Sequence, residues 1–214
     1  MDIRIKEAIR YLGYGRQAVD EPTMALIQES LQELEEIAEV KFIYRIFELS
    51  YPSVNSVQIS NIEIHSHNLV KNLKGCNQCI LFGITLGAMV DRILHRYEKV
   101  HMAKAVVFQA CAAAYLEEEC NKLQVKWSEK FMKEDKYLRP RFSPGYGDFS
   151  ILHQKNILEL LDAPRKIGLT VTESFMMTPT KSVTAIIGIS DTNERCHLSG
   201  CEVCEKTDCI YRRS

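Results

Sequence analysis

Strand-like and helix-like segments follow one another along this chain without strict alternation. Runs that are continuously apolar, or rich in β-branched and aromatic residues, predict strands at 42–49, 54–64, 79–84, 168–174 and 182–189. The first two come in direct succession and are expected to join at Pro52. A parallel sheet needs a crossover between consecutive strands, so this order favours an α+β fold with a largely antiparallel sheet.

Apolar residues recur at helical spacing between these runs. They predict helices at 3–12, 23–40, 65–74, 87–99, 101–131 and 151–161. With 214 residues the chain is long enough for one domain with a substantial core, which we expect over residues 1–190. Beyond that point the chain is polar and dense in cysteine, so residues 191–214 are expected to form a separate tail or small knuckle.

The overall composition argues against several classes of partner. Twenty-seven Lys and Arg against 28 Asp and Glu give a net charge of -1, which provides no general attraction to nucleic acid. The longest apolar run, 105–115, is shorter than the roughly 20 residues of a membrane span. Residues 1–6 carry charges with no apolar stretch after them, unlike a signal peptide, and the protein is therefore expected to be cytoplasmic.

A cation, a rigid turn and an aromatic ring fall within the seven residues that begin at Arg141. The guanidinium of Arg141 suits a carboxylate, and Pro144 fixes its own φ and favours an extended Ser143. Gly145 lets the backbone come close to a ligand, and Tyr146 offers a flat ring with one polar tip. These residues alone fit both a ligand clamp and a surface Pro-Gly turn.

A second pattern lies about twenty residues further along the chain, and the two together resemble one family. They are similar to the activation domain of cobalamin-dependent methionine synthase, in which an Arg-x-x-x-Gly-Tyr element binds S-adenosylmethionine. A Thr-Glu-Ser…Met-x-Pro…Ser-Val element follows it in that family. The first pattern is filled by Arg141, Gly145 and Tyr146, and the second by Thr172, Glu173, Ser174, Met177, Pro179, Ser182 and Val183. The match is close over 139–188 and concerns only general layout elsewhere.

The resemblance implies a long, bent sheet with helices packed against it, and a set of ligand contacts without a catalytic residue. Arg141 would pair with the carboxylate of S-adenosylmethionine, and the backbone from Ser143 to Gly145 would shape the pocket. Tyr146 would cover the ligand or face the corrin ring. Glu173, which lies in a predicted strand and would ordinarily face solvent, becomes a candidate for a place near the ligand.

The same resemblance implies a reactivation component for methionine synthase, a methyltransferase of methionine biosynthesis. This free-standing relative would support reductive remethylation of cob(II)alamin, with a flavodoxin or ferredoxin as electron donor. The chain lacks the Asp-x-His-x-x-Gly pattern of many corrinoid proteins, so cobalamin is expected on a separate corrinoid-bearing synthase. Two alternatives are a non-catalytic assembly protein with a zinc knuckle and a metal-dependent redox partner of another corrinoid methyltransferase.

Four cysteines near the carboxy terminus have the spacing of a metal site, Cys196-x4-Cys201-x2-Cys204-x4-Cys209. Short loops allow four thiolates to converge on a tetrahedral zinc ion or an iron–sulfur cluster, whereas a reduced tail without metal has the same sequence. We favour the iron–sulfur cluster, because reactivation needs an electron and the chain has no flavin-binding pattern. This tail departs from the methionine synthase pattern, which continues with further sheet.

The remaining cysteines and a histidine pair are expected to have structural roles. Cys76 and Cys79 form a Cys-x-x-Cys at the start of a predicted buried strand, unlike the helix start of a thioredoxin-type motif. Cys111 and Cys120 lie on a predicted helix and are expected in the core. The run His65-Ser66-His67 favours a surface turn or helix cap over a metal pair.

Overall fold

The computed structural model describes residues 2–15 and 17–193. Its helices are α1 (Ile3–Tyr11), α2 (Glu21–Ile37), α3 (His67–Asn72), α4 (Ala88–Val100), α5 (Met102–Met132), α6 (His153–Leu161) and α7 (Ala163–Ile167). Its strands are β1 (Lys41–Ser53), β2 (Ser56–Ile59), β3 (Ile62–His65), β4 (Cys76–Thr85), β5 (Tyr137–Leu138), β6 (Thr170–Val171), β7 (Met177–Thr178) and β8 (Ser182–Ser190).

The described chain forms two compact units. One comprises residues 2–15, 17–40 and 86–122 and is helical, and the other comprises 41–85 and 123–193 and contains strands β1 to β8. The predicted α+β class, with a largely antiparallel sheet and packed helices, is confirmed. Within the described residues, no helix combines the length and apolarity needed to cross a membrane.

The helical unit is built from amphipathic helices with defined ends. Asp20 caps α2 by accepting a hydrogen bond from the Thr23 amide at 2.8 Å, and Pro22 occupies the first turn, where its missing N–H is tolerated. One face of α2 buries Ile27 and Leu34, which the helical spacing predicted. The unit therefore follows the local sequence pattern closely.

A six-stranded sheet in the order β3-β2-β1-β4-β8-β5 organises the second unit, and its paired strands are antiparallel. The central strand β4 pairs with β1 on one side, from Lys41 opposite Thr85 to Glu48 opposite Gln78. On its other side it pairs with β8. A strand covered on both faces requires a continuous apolar run, and β4 supplies one.

Successive residues of β4 contribute to cores on opposite faces of the sheet. Leu81 lies opposite Ile186 of β8, and both belong to a buried cluster that includes Leu161 of α6. The next residue, Phe82, has its ring centroid 5.3 Å from that of Trp127 on α5. This alternation follows from the two-residue period of a strand.

Two predicted strands have different bounds in the structure. The first, predicted at 42–49 with Pro52 in the connection, runs through Pro52 to Ser53, and the predicted strand at 54–64 is instead two short strands, β2 and β3. Pro52 is tolerated because the β1–β2 register shifts between Ser50 and Ser53, where the ladder needs no donor from residue 52.

The predicted strand at 168–174 is also wrong in extent. Only Thr170–Val171 is extended, and it pairs with Met177–Thr178 in a separate two-stranded sheet. The short helix α7 precedes it and ends at Gly168, whose φ of 69° is the left-handed conformation usual at a helix end. Five residues are too few for helical periodicity to be visible in the sequence.

Candidate ligand-binding site

The segment that carries Arg141 runs along the outer edge of β8. After β5, the Arg139 amide donates to the Gly188 carbonyl at 2.8 Å. Phe142 exchanges two backbone hydrogen bonds with Ile186, both 2.9 Å. The backbone on both sides of Arg141 is therefore fixed to the sheet.

Arg141 is half-buried and contacts a helix of the same unit. Its Nη1 donates a hydrogen bond to Oε1 of Gln124, on α5, at 2.9 Å. The oxygen of the side-chain amide is an acceptor that matches the guanidinium donor, so this contact helps to orient the guanidinium. An oriented guanidinium of this kind suits a ligand carboxylate.

Ser143, Gly145 and Tyr146 form one tight turn directly after Arg141. The Tyr146 amide donates to the Ser143 carbonyl at 3.2 Å, and the Gly145 amide donates to the Phe149 carbonyl at 2.8 Å. Gly145 has a φ of 91°, a conformation that side chains rarely allow. Tyr146 is 66% exposed, so the residue is accessible to a ligand or partner.

The carboxylate of Asp148 anchors this turn to the start of α3. It accepts hydrogen bonds from Ser66 Oγ at 2.5 Å, the His67 amide at 2.7 Å and the Asn68 amide at 3.1 Å. Burial acts to raise the pKa of Asp148, but the hydrogen bonds from Ser66, Asn68 and His67 outweigh it and hold the pKa below its usual value. Sequence reasoning missed Asp148, because its partners lie about 80 positions away.

The structure confirms a helix cap at the histidine pair. Ser66 is the N-cap residue of α3, and its hydroxyl accepts a hydrogen bond from the Leu69 amide at 3.0 Å. His67 Nδ1 lies 3.1 Å from Asn55 Oδ1, and the exposed His65 lies 3.7 Å from a Glu63 carboxylate oxygen. Across the described ranges 2–15 and 17–193, no group of three or more His, Cys, Asp or Glu side chains could hold a metal ion.

Glu173 lies in a turn and not in a strand, contrary to the sequence prediction. The turn joins β6 to β7 and is closed by a hydrogen bond from the Thr172 amide to the Met176 carbonyl at 2.9 Å. Glu173 is exposed, and the neighbouring Phe175 adopts a φ of 61°. The residue types at 168–174 favour a strand, but a single residue with positive φ, Phe175, is enough to reverse the chain. Strand propensity does not reveal such a residue.

The two motif segments pack against one core but are not joined by their polar side chains. Phe142 and Met177 both contact the buried cluster under the sheet. In the part of the chain that the structure describes, no hydrogen bond or ion pair links Glu173 to Arg141. The structure thus places Arg141, Ser143, Gly145 and Tyr146 together, with Glu173 in a separate turn.

The cysteines divide into a buried set and a set outside the described residues. Cys76, Cys79, Cys111 and Cys120 are buried thiols, as the core assignment predicted for the helical pair. Burial raises the pKa of the Cys79 and Cys111 thiols to about 12, so they are poor nucleophiles at neutral pH. The proposed metal ligands Cys196, Cys201, Cys204 and Cys209 lie outside the described residues.

The structure defines an α+β domain with a largely antiparallel sheet, and comparison with known proteins gives its family. The profile of the vitamin B12 dependent methionine synthase activation domain matches residues 67–200. The chain belongs to this family, and the suspected resemblance is confirmed.

A solved structure has the same fold. It is described as the crystal structure of the MetH reactivation domain bound to AdoHcy. The two share a TM-score of 0.61 and 16% sequence identity, over 90% of this chain and 78% of the other. A comparison with curated proteins found no match.

Proposed function

We propose that this chain binds S-adenosylmethionine at Arg141 and the turn after it, and that it supports remethylation of cob(II)alamin on a separate corrinoid protein. Membership of the activation-domain family supports the reaction, and the fold shared with an AdoHcy-bound domain supports the ligand class. The observation that carries the proposal is the guanidinium of Arg141, oriented at the sheet edge by a hydrogen bond to Gln124.

The residues of the turn fit the ligand in distinct ways. Arg141 pairs with the ligand carboxylate through charge-assisted hydrogen bonds. Ser143 and Gly145 bring backbone close to the ligand, because a glycine with a φ of 91° adds no side chain. Tyr146 covers the ligand or faces the corrin ring with its exposed face, and Glu173 approaches from the β6–β7 turn.

In this scheme the protein binds and orients S-adenosylmethionine, while the methyl donor and the corrinoid supply the reactivity. S-adenosylmethionine supplies a methyl group bound to a positively charged sulfur, which leaves as a neutral thioether. Methyl capture draws forward an unfavourable reduction of cob(II)alamin. The chain thus acts as the reactivation component of a methionine synthase, and its proposed site of action is the cytoplasm.

The electron and the cobalamin come from partners in this proposal. A corrinoid-bearing methionine synthase holds the cobalamin, and a flavodoxin or ferredoxin supplies the electron. We propose that residues 191–214 form a part separate from the domain at 1–190. In that part Cys196, Cys201, Cys204 and Cys209 hold an iron–sulfur cluster that relays the electron, or a zinc ion.

Titration calorimetry of the full chain with S-adenosylmethionine tests the ligand assignment. Replacing Arg141 with Ala removes a charge-assisted contact worth about 2–3 kcal/mol, so we expect affinity about 30- to 150-fold weaker. Arg165→Ala is the matched control, because this arginine of α7 has an 84% exposed side chain. The control should bind as the unmodified protein does. No binding by the unmodified protein, or equal binding by Arg141→Ala, would contradict the proposal.

A further inference from the structure

Gln124 makes two hydrogen bonds to the segment that carries Arg141. Its Oε1 accepts from Arg141 Nη1 at 2.9 Å, and its Nε2 donates to the Arg139 carbonyl at 3.5 Å. The two contacts require the same orientation of the amide, with oxygen towards the guanidinium and nitrogen towards the carbonyl. A flipped amide would place donor against donor at Arg141 and acceptor against acceptor at the Arg139 carbonyl. Gln124 therefore fits this position in one orientation.

Both partners of the Gln124–Arg141 contact stand on fixed elements. One turn further along α5, the ring of Trp127 packs 5.0 Å from that of Tyr44 and only 4% of Trp127 is exposed. The backbone around Arg141 is bonded to β8 through Phe142. A side chain held between two rigid elements is oriented before a ligand arrives, and this lowers the entropic cost of binding.

The chemistry of Gln124 matters as much as its position. A glutamate here would have almost the same shape and would pair with the guanidinium as an ion pair. It would then compete directly with the carboxylate of a ligand. The uncharged amide fixes Arg141 and adds no competing negative charge.

We infer that Gln124 is the positioning residue of Arg141 and makes the site selective for ligands that carry a carboxylate. This inference rests on the proposed function, because it assigns a second residue to the same ligand site. Gln124 acts through Arg141 and needs no contact with the ligand itself.

Two substitutions separate the positioning role from a structural one. With S-adenosylmethionine, Gln124→Ala should weaken binding about 3- to 10-fold, since it removes one hydrogen bond. Gln124→Glu should weaken binding more, by about 30-fold or greater, because a negative charge beside Arg141 opposes the ligand carboxylate. A purely structural role predicts the reverse order, since glutamate preserves the shape of the side chain and alanine does not.

A ligand without the carboxylate provides an independent comparison. Decarboxylated S-adenosylmethionine keeps the sulfonium and the amine, so Gln124→Glu should bind it no more weakly than the unmodified protein does. Gln28→Glu is the matched control, because it makes the same charge change at an exposed position of α2. Thermal unfolding of each variant checks that the fold is retained.

The outcomes distinguish this inference from the proposed function. If the unmodified protein does not bind S-adenosylmethionine, the proposed function fails. If Arg141→Ala binds weakly but Gln124→Glu binds like the unmodified protein, or less weakly than Gln124→Ala, only the inference is overturned. Equal weakening of both ligands by Gln124→Glu also overturns it.

Discussion

At the scale of single residues, the turn beside β8 depends on one carboxylate that the sequence pattern does not mark. Asp148 accepts three hydrogen bonds from Ser66, His67 and Asn68, and thereby joins the turn that follows Arg141 to the first turn of α3. Two of these donors are backbone amides at a helix start, where a negative charge is favoured. The position of the turn is therefore set by a contact made far along the chain.

Replacing Asp148 with Asn should reduce the free energy of unfolding by about 1 kcal/mol, a modest value because the carboxylate is screened by solvent. Because the folded-state pKa of Asp148 is lowered, its stabilisation is present above the unfolded pKa and is lost as pH falls through the folded one. Urea unfolding at several pH values measures the free energy of unfolding of the unmodified protein and of Asp148→Asn. The difference between the two proteins should be constant near neutral pH and should shrink below about pH 4.

The exposed Asp191 provides the control for this measurement. Asp191→Asn should unfold like the unmodified protein. If Asp148→Asn showed the same stability and pH dependence as the unmodified protein, the anchoring role would be refuted.

At the scale of elements, α6 is joined to β7 and β8 through one buried polar side chain. Gln154 is 2% exposed, and its Nε2 donates to Thr184 Oγ1 on β8 at 2.6 Å. The same nitrogen lies 3.2 Å from the sulfur of Met177 on β7. A buried amide needs such partners, so the contact fixes α6 against both strands.

Breaking this contact from either side should leave a buried polar group without a partner. Gln154→Leu and Thr184→Val should each lower the free energy of unfolding by about 1–3 kcal/mol. The double substitution should cost less than the sum of the two, because both polar groups are then removed. Denaturant unfolding of the four proteins gives the coupling, and strict additivity would show that the contact contributes nothing.

The elements also show which features were predictable from the sequence. Helices such as α2 follow from local periodicity and caps, and β4 follows from its continuous apolar run. The extension of β1 through Pro52 depends on a shift in its pairing with β2. The turn that contains Glu173 depends on the backbone of Phe175. A short sequence pattern does not reveal pairing register or a single positive-φ residue. The end of β1 and the conformation of Glu173 were therefore predicted wrongly.

At the scale of the whole molecule, the fold extends beyond the part that the family profile matches. The profile begins at residue 67, whereas β1, β2 and β3 precede it and still form half of the six-stranded sheet. The structural likeness to the MetH reactivation domain covers 90% of this chain. The motif segments could therefore be identified from the sequence. The contacts of Gln124 with Arg141 and of Asp148 with α3 could be identified only from the three-dimensional structure.

The proposed division of labour predicts that ligand binding and electron delivery can be separated. Replacing both Cys201 and Cys204 with Ser should remove the metal and leave the affinity for S-adenosylmethionine unchanged, because Arg141 and its turn lie in the domain. With an iron–sulfur cluster, anaerobically purified protein should absorb near about 400 nm, and the double variant should not.

Reactivation of a cob(II)alamin-loaded synthase then tests the role of the cluster. Reactivation driven by flavodoxin or ferredoxin should fail with the double variant, and a small chemical reductant that reaches the cobalamin directly should restore it. Stoichiometric zinc without that absorption band would refute the cluster. Full reactivation by the double variant with the protein donor would refute the relay, because the electron would then reach the cobalamin without the tail.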